Sequence, residues 1–202
     1  MKIINLQFLI LLFLISANGL FGQTNTLNYD IIRNDKVIGA LKLQKREDGN
    51  RTYLNLTSEV NVSLIINMSV KIKEHTIYQN NKLIYSDSKR IVNDNQKLNN
   101  KTSLVNGIYY ANNDGESKII PLSVISYNTL LLYFNEPNFI KELYSESYQK
   151  MIKINKLAPE HYLITLPDGG NNEYFYKDGK CIQVTIKNTF FKVEMRLKSD
   201  IK

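Results

Sequence analysis

Two histidines, one cysteine and a scatter of serines are what this 202-residue chain offers for nucleophilic chemistry. A hydrolytic serine usually sits in a Gly-x-Ser-x-Gly elbow, and the chain has none. It also lacks a phosphate loop, a dinucleotide fingerprint and a His-Glu-x-x-His helix. Cys181 opens an alternating apolar strand, where a thiol reads as a small buried side chain, and no local motif ties it to a histidine. His75 falls on a lysine-bearing strand face, and His161 follows Pro159 and Glu160 at a strand start. Both read as surface residues, because metal sites need convergent ligands and a catalytic histidine needs an orienting partner. Asn93-Asp-Asn95 and Asn112-Asn-Asp-Gly-Glu116 lack the spaced carboxylates and closing glutamate of a calcium loop and read as turns. The expectation is a non-enzymatic protein without catalytic residues, metal or cofactor.

The chain is richer in aromatic residues than in reactive ones, with 13 Tyr and 8 Phe but no Trp. Tyrosine suits half-buried strands. A sharper reading places Tyr85, Tyr127, Tyr133, Phe134 and Tyr174 around a cavity between a sheet and a helix, able to take an apolar ligand. Which side chains would touch that ligand depends on strand faces that the sequence leaves open.

These residues need elements to position them. In 121–137, the apolar Leu122, Val124, Ile125, Tyr127, Leu131 and Leu132 recur at three- and four-residue spacings, with Ser123 or Ser126 to cap the start and Pro137 to end the run. This predicts a mostly buried helix near 122–135. A helix apolar nearly all round needs cover on most sides, and a curved sheet built from strands before and after it is the simplest cover. Phe139, Ile140, Leu143 and Tyr144 predict a second, weaker helix over 138–147.

The rest reads as antiparallel strands. Asn34-Asp35, Asn80-Asn81, Asn106-Gly107 and Asp178-Gly179 are hairpin turns between alternating runs, and residues 93–100, polar throughout, read as a loop. Gly39 inside the second strand marks a bulge or a close crossing. Five strands between 150 and 197, joined by short turns, should form a meander.

Residues 1–22 carry Lys2, an apolar stretch and a small-residue exit ending at Gly22, the pattern of a cleaved secretory signal peptide too short to be a good membrane span. The mature chain, 23–202, is then one domain located in the periplasm or outside the cell and not membrane-spanning. A lone cysteine gives it no internal disulfide. The formal net charge of +7 falls to +6 when Lys2 leaves with the leader. Its lysines and arginines are dispersed as on solvated strand faces. An exported chain with such a pattern excludes nucleic acid as a partner and keeps anionic headgroups and glycans open.

Through Tyr29-x-Ile-x-x-Asn-Asp-Lys-x-Ile-Gly39, the strand pair around Tyr78-Gln-Asn-Asn-Lys-Leu-Ile-Tyr85, and Asp178-Gly179-Lys180 ahead of the closing strands, the chain resembles a group of small exported bacterial β-rich proteins classed as domains of unknown function. These are similar in turn to the half-barrel carriers of outer-membrane lipoproteins. The resemblance implies a Gram-negative periplasm and says nothing of catalysis. The expected architecture is mainly β (α+β), a curved antiparallel sheet or half-barrel wrapped around one central helix. The expected function is an exported binding or carrier domain for an apolar or lipid-like ligand, with a structural or assembly partner of a cell-envelope protein complex as the alternative.

Overall fold

A computed structural model describes residues 24–63, 67–188 and 191–199; the expected leader, 1–22, lies outside them. The described residues form fourteen strands: β1 (Thr24–Arg33), β2 (Lys36–Asp48), β3 (Arg51–Ser63), β4 (Asn67–Gln79), β5 (Lys82–Val92), β6 (Asn95–Val105), β7 (Ile108–Asn113), β8 (Glu116–Ile120), β9 (Glu142–Ser145), β10 (Lys150–Ala158), β11 (His161–Thr165), β12 (Asn171–Lys177), β13 (Lys180–Lys187) and β14 (Lys192–Leu197). They belong to one antiparallel sheet in the order β8-β7-β6-β5-β4-β3-β2-β1-β14-β13-β12-β11-β10-β9. The first and last strands meet in its middle, Tyr29 opposite Leu197 and Ile31 opposite Met195. The two free edges, β8 and β9, are successive in the chain.

Turn chemistry explains the long run of hairpins. Asn34-Asp35, Asn80-Asn81, Asn93-Asp94, Asn106-Gly107, Asp114-Gly115 and Asp178-Gly179 all have positive φ at both residues. Asn, Asp and Gly tolerate that conformation, and the resulting turns twist as the flanking strands do. One expectation is corrected here: 93–100 is not a loop, because Asn93-Asp94 turns the chain straight into β6. Its inward residues Asn100 and Thr102 are polar yet buried, so the apolar alternation that identifies a strand is broken between Leu98 and Leu104. Gly39 does mark a bulge: the β1–β2 register shifts between Ile31 and Ile32. A Cβ there would lie 2.2 Å from the Glu59 carbonyl oxygen.

The central helix is not there. Residues 121–141 cross the concave side of the sheet as an irregular plug whose one regular piece is a 3₁₀ turn at Leu131–Tyr133. The reason is competition for backbone groups. The Ile125 carbonyl accepts from Leu83 N–H at 2.9 Å, the Tyr127 carbonyl from Tyr144 N–H at 2.8 Å, and Thr129 N–H donates to the Tyr144 carbonyl at 3.1 Å. Ser, Val, Ile, Asn and Thr are modest helix formers, so pairing with the surrounding strands prevails over helical bonding. The apolar content is placed only partly as anticipated: Ile125 and Leu132, with Leu130, are fully buried, Leu122, Tyr127 and Leu131 are half-buried, and Val124 is exposed. The second helix over 138–147 is also replaced, by a turn and the edge strand β9, with Phe139 left in solvent.

The sheet curls without closing into a continuous ladder. Where the turn between β9 and β10 approaches β6 and β7, side chains take over: Asn100 Nδ2 donates to the carbonyls of Glu146 (3.1 Å) and Ser147 (2.8 Å). Gln149 Nε2 donates to those of Lys101 (2.9 Å) and Asn112 (3.0 Å). Tyrosines fasten the plug from the other sides. Tyr176 donates its hydroxyl to the Leu132 carbonyl at 2.7 Å, and Tyr109 Oη accepts from Ile125 N–H at 3.2 Å while donating to the Leu83 carbonyl at 2.9 Å. Among the described residues no helix is long and apolar enough to cross a membrane.

Candidate functional site

Strand alternation creates a polar stripe on the concave face. Glu74 of β4 pairs with Ser88 of β5 and that with Asn100 of β6, while Thr76, Ser86 and Thr102 form the next row. Thr76, Ser86, Ser88, Asn100 and Thr102 are all buried. Buried polar groups require partners, and the plug and the β9–β10 turn bring them. Glu146, 1% exposed, accepts hydrogen bonds from Asn128 Nδ2 and Thr129 Oγ1 of the plug and from Thr76 Oγ1 at 3.4 Å. Glu74 accepts from Ser88 Oγ at 2.8 Å.

The two carboxyls influence each other. Burial, followed by the charge of Glu74, pushes the Glu146 carboxyl up to about 8 against the opposing hydrogen bonds from Thr129 and Asn128. Glu74 is also raised, first by burial, with the Ser88 hydroxyl and the Arg90 guanidinium pulling the other way. Loss of solvation disfavours the ionised form, and two adjacent carboxylates resist ionising together. The pair therefore retains a proton near neutral pH.

Beside this pair the curled sheet and the plug border a partly open cavity of about 370 Å³. Leu56 and Ile72 of the first half of the sheet and Ile186 and Met195 of the second half supply apolar wall, and Tyr133 and Tyr174 supply aromatic wall. Their rings meet edge to face at 6.1 Å. Glu74, Arg90 and Asp168 are the cavity's charged lining, and Asn172 stands among several polar residues there. Arg90 and Asp168 stand at the rim, where Tyr148 donates its hydroxyl to Asp168 at 2.6 Å and holds that carboxyl below its usual range.

Of the five aromatics singled out in the sequence, Tyr133 and Tyr174 reach this cavity. Tyr85 instead packs near His75, with centroids 6.2 Å apart; Tyr127 binds the Asn135 carbonyl; and Phe134 follows the 3₁₀ turn. The histidines lie elsewhere: His75 Nδ1 is 2.7 Å from Asn55 Oδ1, and His161 stacks on Phe175 and meets Glu173 at 3.1 Å. Cys181 is fully buried and its thiol is pushed up to about 12 by that burial. Sequence reasoning missed Glu74, Glu146, Arg90 and Asn172. A glutamate at an inward strand position, as Glu74 is between Ile72 and Thr76, was the one signal available.

An open, curled antiparallel sheet around an irregular plug, with a partly open amphipathic cavity, defines a barrel-like β protein. The chain belongs to a family described as a domain of unknown function, DUF6134, whose model matches residues 29–198. Its fold is similar to that of a crystal structure described as a beta-barrel-like protein of domain of unknown function DUF1849 from Brucella abortus, with a TM-score of 0.53, 11% identity, and coverage of 89% of this chain and 97% of that one. At that identity the likeness is one of fold. No curated protein matches the chain.

Proposed function

We propose that the protein is an exported, periplasmic or secreted binding or carrier protein, non-enzymatic, that holds an apolar or lipid-like molecule inside its curled sheet. The observation that carries this reading is the cavity of about 370 Å³ between sheet and plug. Its volume is at the small end of ligand sites, and a mainly apolar wall with a few fixed polar groups is how such sites combine affinity with orientation. Export rests on the leader-like residues 1–22.

Native mass spectrometry of protein purified from its own cell envelope tests the reading. A small molecule should remain bound, and Ile72→Trp, which fills the cavity, should expel it. Protein that is empty in every preparation overturns the proposal. N-terminal sequencing of the same material should begin at Gln23.

A second reading, an assembly partner within an envelope complex, is supported by the outer face. Lys42, Lys73 and Lys89 are exposed and lie in one row across β2 to β5, with Thr57 between the first two. Crosslinking in cells should then recover one defined protein, lost when these lysines become glutamates.

A further inference from the structure

The charge inside the cavity points to the class of ligand, an inference that rests on the binding reading above. Glu146 is buried and Glu74 is half-buried at the cavity wall, and among the described residues neither forms a salt bridge. Buried carboxyls without a cation are costly to ionise, and proteins normally pair them. Hydroxyls and an amide partly satisfy this pair, yet Glu74 has a single side-chain donor, Ser88, and borders the cavity. Asn172, also lining the cavity, buries an Oδ1 that has no hydrogen-bond partner. An unfilled acceptor of this kind is complementary to an N–H or O–H donor. Glu74 lines the same cavity as the rings of Tyr133 and Tyr174. Aromatic faces attract cations.

The remaining charged groups do not favour an anion. Arg90, Glu74 and Asp168 all line the cavity, where the two carboxyls outnumber the single guanidinium. Tyr78, Tyr109 and Tyr144, the other titratable groups around Glu146, add no positive charge. We infer that the cavity binds a cationic amphiphile, its ammonium group beside Glu74 with a donor toward Asn172 Oδ1 and its apolar body against Leu56, Ile72 and Ile186. Arrival of the ammonium replaces the proton retained by the carboxyl pair: a carboxyl O–H breaks and the proton passes to the solvent.

Calorimetric titration of the mature protein at pH 7 with octylammonium, octanol and octanoate tests this. Octylammonium should bind at least tenfold more tightly than octanol and should release protons, read as a heat that changes with the ionisation enthalpy of the buffer; octanol should release none. Glu74→Gln should abolish the tenfold preference and keep octanol binding. Asn172→Leu should weaken octylammonium at least as much as octanol, since both carry a donor for Oδ1 while octanoate carries none, and with the wild-type proton release it decides the matter should Glu74→Gln not fold. Octanoate binding as tightly as octylammonium, or a preference that survives in Glu74→Gln, overturns the inference while leaving a binding cavity. Failure of all three probes to bind overturns both.

Discussion

At Glu146 a single side chain links stability to pH. Its carboxyl is raised from 4.5 to about 8 in the folded protein, chiefly by burial and then by Glu74. The folded state therefore holds a proton that the unfolded chain releases, and stability falls as pH rises from about 4.5 to about 8. The contribution is fully present below the unfolded value and lost through the folded one. Asp168, Glu173 and Glu194, whose carboxyls are lowered, act with the opposite sign but below this window. Denaturant titrations at pH 5 and 9 should show wild type losing roughly 2–4 kcal/mol, with Glu146→Gln losing much less. Cys181 gives a second expectation: a thiol reagent at pH 8 should label it at the rate of unfolding, because the thiol is buried and its thiolate disfavoured. Cys181 was legible because burial in an alternating strand is a local pattern. Glu146 was not: its surroundings come from Thr76 and Asn128, 70 and 18 residues away.

Among the elements, hairpins were the most legible because their cause is local. Six turns combine Asn, Asp and Gly at positive φ, and the sequence shows those residues directly. Gly39 was legible for the same reason, and Gly39→Ala should cost about 2–3 kcal/mol, since its Cβ would meet the backbone of Glu59. Chemical denaturation measures it. The plug shows the limit of periodicity. Its apolar spacing matched a helix, but Leu83 and Tyr144 compete for its backbone groups. Burial of Leu132 was still correctly implied, so Leu132→Ala should cost about 2–5 kcal/mol despite the missing helix. The cavity was half legible, through Tyr133 and Tyr174. Its charged residues Glu74 and Arg90 come from strands whose facing depends on register and curvature, and Asp168 from the β11–β12 connection.

At the scale of the molecule, the curl depends on a side-chain seam as well as on strand pairing. Asn100 and Gln149 each bridge two carbonyls across it. Asn100→Ala should lower stability by about 2 kcal/mol, leaving buried carbonyls without donors. Hydrogen exchange should quicken first in β8 and β9, the strands at the ends of the ladder. Mainly β architecture and antiparallel order were legible from short turns; the meeting of β1 and β14 was not, because that pairing spans nearly the whole chain.

That meeting has a kinetic consequence. Tyr29 finds its partner only when Leu197 exists, so a nascent chain can assemble two separate ribbons but cannot join them before β14 has been made. Such distant contacts make folding slow. A polypeptide whose two ribbons stay unjoined until β14 is made would suit the export proposed above, since an unassembled chain is what a narrow channel passes.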